Sequence, residues 1–301
     1  MDASPLNLKS HNHARSNSLP SKPHPIILQC NEHLARLGGV SSDATSSSSS
    51  SSSFLSYKLS GLQDLHNSVE KLIQLPLTQE ALVHERQEKW VEELLDGSLR
   101  LLDTCSATKD ALLHTKECTR ELQSIIRRRR RGGEEELAIE VKKFLTSRKV
   151  ARKAIFKALE NLKGNENKCS FSITNKDYQT VASISLLKEV EVITFSIFES
   201  LLNFISGSMQ SKRSSWSLVS KIMQSKRVPH AQGVDENEFA NVDAALQFFA
   251  INLASKSNGI DDLQNKLARL GSCIQKLEEG LESLFRRLIK IRVALLNILN
   301  H

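Results

Sequence analysis

The sequence predicts an all-α fold, a bundle of long helices with a coiled-coil-like C-terminal helix and a disordered, serine-rich N-terminal arm. Three observations carry that expectation. Glycine, proline and aromatic residues are scarce, with 12 Gly, 6 Pro and 5% aromatics in 301 residues, which argues against sandwiches, barrels and Gly-loop enzymes. Apolar residues recur with a helical period almost everywhere after Phe54. Two Leu/Ile series, each spaced by seven, occupy the C-terminal end.

Residues 1–53 read as a disordered regulatory arm. Pro5, Pro20, Pro23 and Pro25 punctuate a polar stretch, and serine runs unbroken from Ser46 to Ser53. Such a composition cannot bury enough apolar area to offset its chain entropy. Inside it Ile26, Ile27, Leu28, Leu34 and Leu37 spell a short helix over 26–37, ended by Gly38 and Gly39. The helical bundle domain then spans 54–301. Leu55, Leu59, Leu62, Leu65, Val69 and Leu72 trace one face of its first helix, which Pro76 closes.

Thr78 is the expected N-cap of one long helix running through Leu82, Trp90, Leu101 and Leu122. It ends at the run Arg127, Arg128, Arg129, Arg130 and Arg131, where cations suit the C-terminal dipole, and Gly132 breaks it. Glu134 to Glu136 open a third helix, whose stripe is Leu137, Val141, Phe144, Ala151, Ile155 and Leu162. The next helix, Val181 to Phe204, is apolar beyond a single stripe. That places it near the centre of the bundle, and Gly207 ends it. A shorter segment from Trp216 to Ser225 and a helix from Phe239 to Leu253 follow.

The last helix has the most regular pattern. Ile260, Leu267, Ile274, Leu281, Leu288 and Leu295 form one series, and Leu263, Leu270, Leu277, Leu284, Ile291 and Ile298 the other. From end to end this seam is roughly 58 Å long at about 1.5 Å per residue. It must meet another helix, within this chain or in a second copy or foreign partner. Homo-oligomer formation therefore stays open.

The search for catalytic chemistry is nearly empty. G-x-S-x-G, the P-loop, G-x-G-x-x-G and H-E-x-x-H motifs do not occur, so no enzyme, cofactor or metal site is expected. His114 and Cys118 stand four apart on a helix, but nothing nearby completes a zinc set. The odd number of cysteines, five without C-x-x-C, reads as reduced intracellular thiols. No apolar signal segment opens the chain. Arg286, Arg287, Lys290 and Arg292 interrupt its most apolar stretch, Leu281 to Leu299. The expected location is cytoplasmic or peripheral to a membrane, with the nucleus also open.

Charge points to partners. The net charge is +7, and its basic core is the arginine run with Lys142, Lys149, Arg152 and Lys153, which share one face of the third helix. From Val141 to Leu159 there is no acidic residue. Three readings compete: a solvated face, contact with an anionic membrane surface or an acidic protein, and nuclear import or nucleic-acid contact. No aromatic platform or DNA-binding signature accompanies the charge, so no specific nucleic acid is predicted. In the arm, Arg15-Ser16-Asn17-Ser18-Leu19-Pro20 fits a basophilic kinase site and the R-S-x-S-x-P pattern of phosphoserine-binding adaptors. Arg15 guides the kinase, phospho-Ser18 is gripped by adaptor arginines, and Pro20 turns the peptide out of the groove.

The combined motifs resemble a plant-specific group of helical proteins of unknown biochemical function, the BYPASS-related family. The resemblance is carried by the Arg15 to Pro20 motif with His24-Pro25, Leu75-Pro76-Leu77-Thr78-Gln79, Lys89 to Ser98, Arg127 to Arg130, Ser147-Arg148-Lys149 and Glu189 to Leu202. It covers nearly the whole chain. It implies an all-helical plant protein linked to root and shoot development, and supplies no catalytic residue. The reading that follows is a non-enzymatic regulator or scaffold working through protein contacts and phospho-switched at Ser18. The alternative is a peripheral membrane protein using the basic 142–157 helix and the amphipathic C-terminal helix.

Overall fold

The computed structural model describes residues 24–43, 52–128, 134–163, 178–207, 237–251 and 258–300. Among these described residues there are eight helices and no strand. The fold is built around α8 (Asn258–Asn300), which lies between α2 (Ser52–Ile73) and α4 (Lys89–Arg128). Ten residues of the heptad seam, Leu263 to Leu295, are buried at 6% exposure or less, while Ile260 and Ile298 at its ends are partly buried. The seam is therefore core within one chain. Each fully buried Leu or Ile there contributes roughly 1.5–3 kcal/mol of gross burial free energy.

Polar contacts along its flanks fix the register of α8. Arg287 pairs with Glu70 of α2 at 3.0 Å, while Lys109 and Lys116 of α4 pair with Glu282 and Glu278. Arg292 donates to the Leu95 carbonyl and the Ser98 hydroxyl, both at 2.7 Å. Two of the cations that interrupt the apolar stretch thus work as inter-helix ties. No helix among the described residues is long and apolar enough to cross a membrane.

The face that α4 buries is thin. It includes Gly97, Thr104, Thr108, Ala111, Thr115 and Thr119 as well as Leu101, Leu112 and Leu122. Each buried threonine donates its hydroxyl to the carbonyl four residues earlier, at 2.7–2.8 Å. The side chain then turns a methyl group, with no unsatisfied polar atom, toward its neighbours. Leu113, in contrast, is 47% exposed.

Two expectations are corrected at the N-terminal side. Thr78 is not an N-cap, and the chain does not run unbroken from it to the arginines. Instead α3 (Pro76–His84) starts with Pro76 at its first turn and no side-chain cap at Leu75, and Thr78 is buried inside it. Glu85, Arg86, Gln87 and Glu88 then interrupt the helix before α4 begins. Those residues offer nothing apolar to bury, so the core does not hold that turn helical. Trp90 bridges the break by donating its indole N–H to Glu85 at 2.7 Å.

The second correction concerns the arm. A helix does occur there, but α1 (Pro25–Asp43) runs past Gly38 and Gly39 and packs on α2 and α6. Cys30, Leu34 and Leu37 are buried, and Lys58 of α2 donates to the Leu37 carbonyl. Helical packing thus begins well before residue 54. Residues 1–23, with Arg15, Ser16, Ser18 and Pro20, lie outside the described residues, as do Arg129 to Arg131 and Trp216 to Ser225.

Helix α6 (Tyr178–Ser206) contacts α1, α2, α4, α5 (Glu134–Lys163) and α7 (Glu238–Ile251), the central place its broad apolar surface predicts. Gly207 ends it with φ +69° and an N–H to the Phe204 carbonyl at 3.0 Å. Helix α5 packs on α4, α6 and α7, leaving one long face at the bundle's edge.

Candidate functional site

The basic run on α5 divides by residue type. Arg148 is 1% exposed and grips Asp243 of α7 with two bonds, Nε to Oδ1 at 3.1 Å and Nη2 to Oδ2 at 3.0 Å. Arg152, one turn on, donates to the same carboxylate and to the Ser206 carbonyl at 2.8 Å. Arg148 also reaches the Ile205 carbonyl at 2.9 Å and lies 5.3 Å from the centre of the Phe239 ring. The two guanidinium groups thereby cap the carbonyls at the end of α6, where positive charge suits the dipole. Asn237 completes the junction, accepting from the Ala240 N–H at 3.0 Å and donating to the Phe204 carbonyl at 2.9 Å.

Arg152 therefore does not belong with the exposed patch expected from the sequence. Its charge is spent on a buried tie among α5, α6 and α7. The remaining members behave differently. Lys142, Lys149 and Lys153 are exposed, with Lys157 continuing the row, and Arg127 and Arg128 are exposed at the end of α4. Among the described residues none of these four lysines has an ion-pair partner, whereas Lys143 pairs with Glu140 at 3.1 Å. Ile139, Val150 and Phe156 stand among the lysines at 52%, 61% and 52% exposure.

Sequence reasoning missed Asp243, whose signal was available. Arg148 and Arg152 are four apart in a run otherwise made of lysine, and planar bidentate pairing favours arginine. Asp243 is the sole Asp in α7 and sits between Val242 and Ala244.

His66 was equally hidden in the stripe of α2. It is fully buried, and burial, with the charge of Arg287 second, lowers its pKa from 6.5 to about 4. The Thr194 hydroxyl donates to the Val190 carbonyl at 2.6 Å, so it accepts from His66 Nε2–H at 3.1 Å. His66 Nδ1 is left without a partner. The ring borders a cavity of about 40 Å³ lined chiefly by Leu101, Leu187, Val190 and Leu288, room for little more than water.

Other chemical groups are accounted for by packing. His114 and Cys118 both turn to Ser147 of α5, at 2.5 and 3.0 Å. Ser147 lies inside a continuous helix whose N–H groups are spent on the backbone, so none faces it as an oxyanion donor. No cluster of three or more metal-ligating side chains occurs among the described residues. Burial pushes the thiols of Cys30 to about 11 and of Cys105 and Cys273 to about 12, which leaves them unreactive. A polar groove of about 430 Å³ opens where α2 and α7 begin against α8. There Ser52 donates to Glu238 at 2.6 Å and Asp262 holds Lys266 at 2.7 Å.

The model of the family described as Protein BPS1 matches residues 58–298, the whole span from α2 to α8. The chain belongs to the Protein BPS1 family. This is the plant group to which the arginine, tryptophan and glutamate blocks pointed, and the shared region contains both the Arg148–Asp243 tie and the lysine face. No curated protein and no solved structure matches the chain. Family membership points to a regulator of plant development and leaves its biochemical activity open.

Proposed function

We propose that the protein is a non-enzymatic scaffold in plant root and shoot development, working through surface contacts and switched by phosphorylation of Ser18. The observation that supports a contact role is the division of labour in the bundle. The seam of α8 is spent internally, so contacts with partners fall to exposed helix faces and to the segment before α1. The amphipathic C-terminal helix drops out of the membrane alternative for the same reason, because its apolar side is covered by α2, α4 and α7.

The switch rests on Arg15, Ser16, Ser18 and Pro20. Phosphorylation adds a charge of about −1.5 to −2, which an adaptor's arginine cluster grips. Kinase-treated protein should be captured by a purified phosphoserine-binding adaptor, and Ser18→Ala should abolish the capture. Equal capture of the variant overturns the switch. Far-UV circular dichroism should not change, because the substitution lies before the first core helix.

A further inference from the structure

We infer that the outer face of α5 is a docking surface for an anionic lipid bilayer, with Lys142, Lys149, Lys153 and Lys157 on the headgroups and Val150 and Phe156 in the interface. At about 100° per residue, the four lysines fall within roughly 80° of arc and span about 22 Å of helix. They form a flat row parallel to the helix axis. Phe156 and Val150 border that arc on its two sides, so all six side chains reach one plane together. Long lysine stems lie along apolar surface while their ammonium groups stay in the headgroup layer, the arrangement of interfacial helices.

The composition of the face selects its occupant. Recognition of a carboxylate on a protein favours arginine's planar fork, and this helix spends both of its buried-side arginines in that way, on Asp243. What it leaves outside is lysine, a compact hydrated charge suited to a diffuse layer of negative headgroups. The exposed Val150 and Phe156, at 61% and 52%, have no role in a purely electrostatic contact. From Val141 to Leu159 the face carries no carboxylate, and the exposed Glu135 and Glu160 bound the lysine row at its ends, about two turns before Lys142 and one turn after Lys157. The chain's own segments 1–23 and 208–236 are net basic in composition, so neither supplies the anionic chemistry that this face selects.

The inference is independent of the Ser18 switch, since the face lies on α5 and its test needs no phosphorylation. The full chain would be floated with phosphatidylcholine vesicles, alone or with about 30% phosphatidylserine, in salt from about 0.1 to 0.5 M. Binding is expected only to the acidic vesicles and should fall as salt rises. Lys149→Gln with Lys153→Gln should weaken it on the order of 25-fold, at about fivefold per lysine. Val150→Ser with Phe156→Ser should weaken it as well. Removing the same charge from α8, with Arg269→Gln and Lys276→Gln, should leave most of the binding. All these side chains are exposed, so unfolding temperatures should match the parent protein. Three results overturn the inference. They are absence of binding to acidic vesicles, as an acidic protein partner would give; equal loss in the α8 control, meaning net charge alone; and full binding without Val150 and Phe156, meaning simple adsorption.

Discussion

Asp243 serves two arginines, so its loss is not the loss of one ion pair. Asp243→Asn would leave Arg148 buried with its charge uncompensated, at a cost of about 3–5 kcal/mol. Urea unfolding should show that loss as a lower midpoint with an unchanged slope. Arg148→Lys should restore little, because an ammonium cannot make the two parallel bonds to Asp243. His66 carries a second residue-level consequence, in its response to pH. Its folded pKa, about 4, lies below the unfolded value of 6.5, so the unfolded chain takes up a proton first as pH falls. The stabilisation is complete above about pH 6.5 and is lost on acidification toward pH 4, amounting to about 3 kcal/mol. In His66→Leu the fall in stability between pH 7 and pH 4.5 should be smaller by about that amount. An unchanged pH profile would place the sensitivity elsewhere. Local periodicity marked neither residue as a site, because their partners lie 95 and 128 positions away in the chain; only the spacing of Arg148 and Arg152 hinted at a buried carboxylate.

At the scale of elements, α8 was read from sequence almost to its ends, since a strict heptad of Leu and Ile has one stable use. Leu277 and Leu284 are fully buried, and each Leu→Ala should cost about 2–5 kcal/mol. Val293→Ala, at a position 48% exposed, should cost less than about 0.5 kcal/mol. Comparable losses at all three positions by chemical denaturation would contradict a seam facing inward. Helix α4 was less legible. Its leucines marked the course of the helix, yet threonines and Gly97 form much of the buried surface. Threonine looks polar in a composition count and becomes an apolar surface only when the helix accepts its hydroxyl. The break between α3 and α4 escaped for a related reason: Glu85 to Glu88 carry no breaker, only an absence of anything to bury. Gly207 was legible as a helix end. Gly207→Ala should cost about 1–2 kcal/mol from its positive φ, with its Cβ also placed 3.1 Å from the Asp243 carboxylate.

For the whole molecule, an internal seam predicts a monomer. Light scattering should give the mass of one 33.7 kDa chain, and Leu277→Glu with Leu284→Glu should collapse the fold. Loss of a dimer with the monomer still helical would show that the seam joins two copies. By itself the sequence determined the helical class, the heptad helix, the broad apolar helix at the centre and the family, because these depend on spacing along one chain. Tertiary structure alone decided which charges are available. Arg148, Arg152 and Lys149 read alike in a basic run, but two of them turn inward to a carboxylate on another helix and one stays in solvent. Pairing across the bundle depends on three-dimensional distance, so the usable positive surface of α5 is narrower than its basic run and is made of lysine.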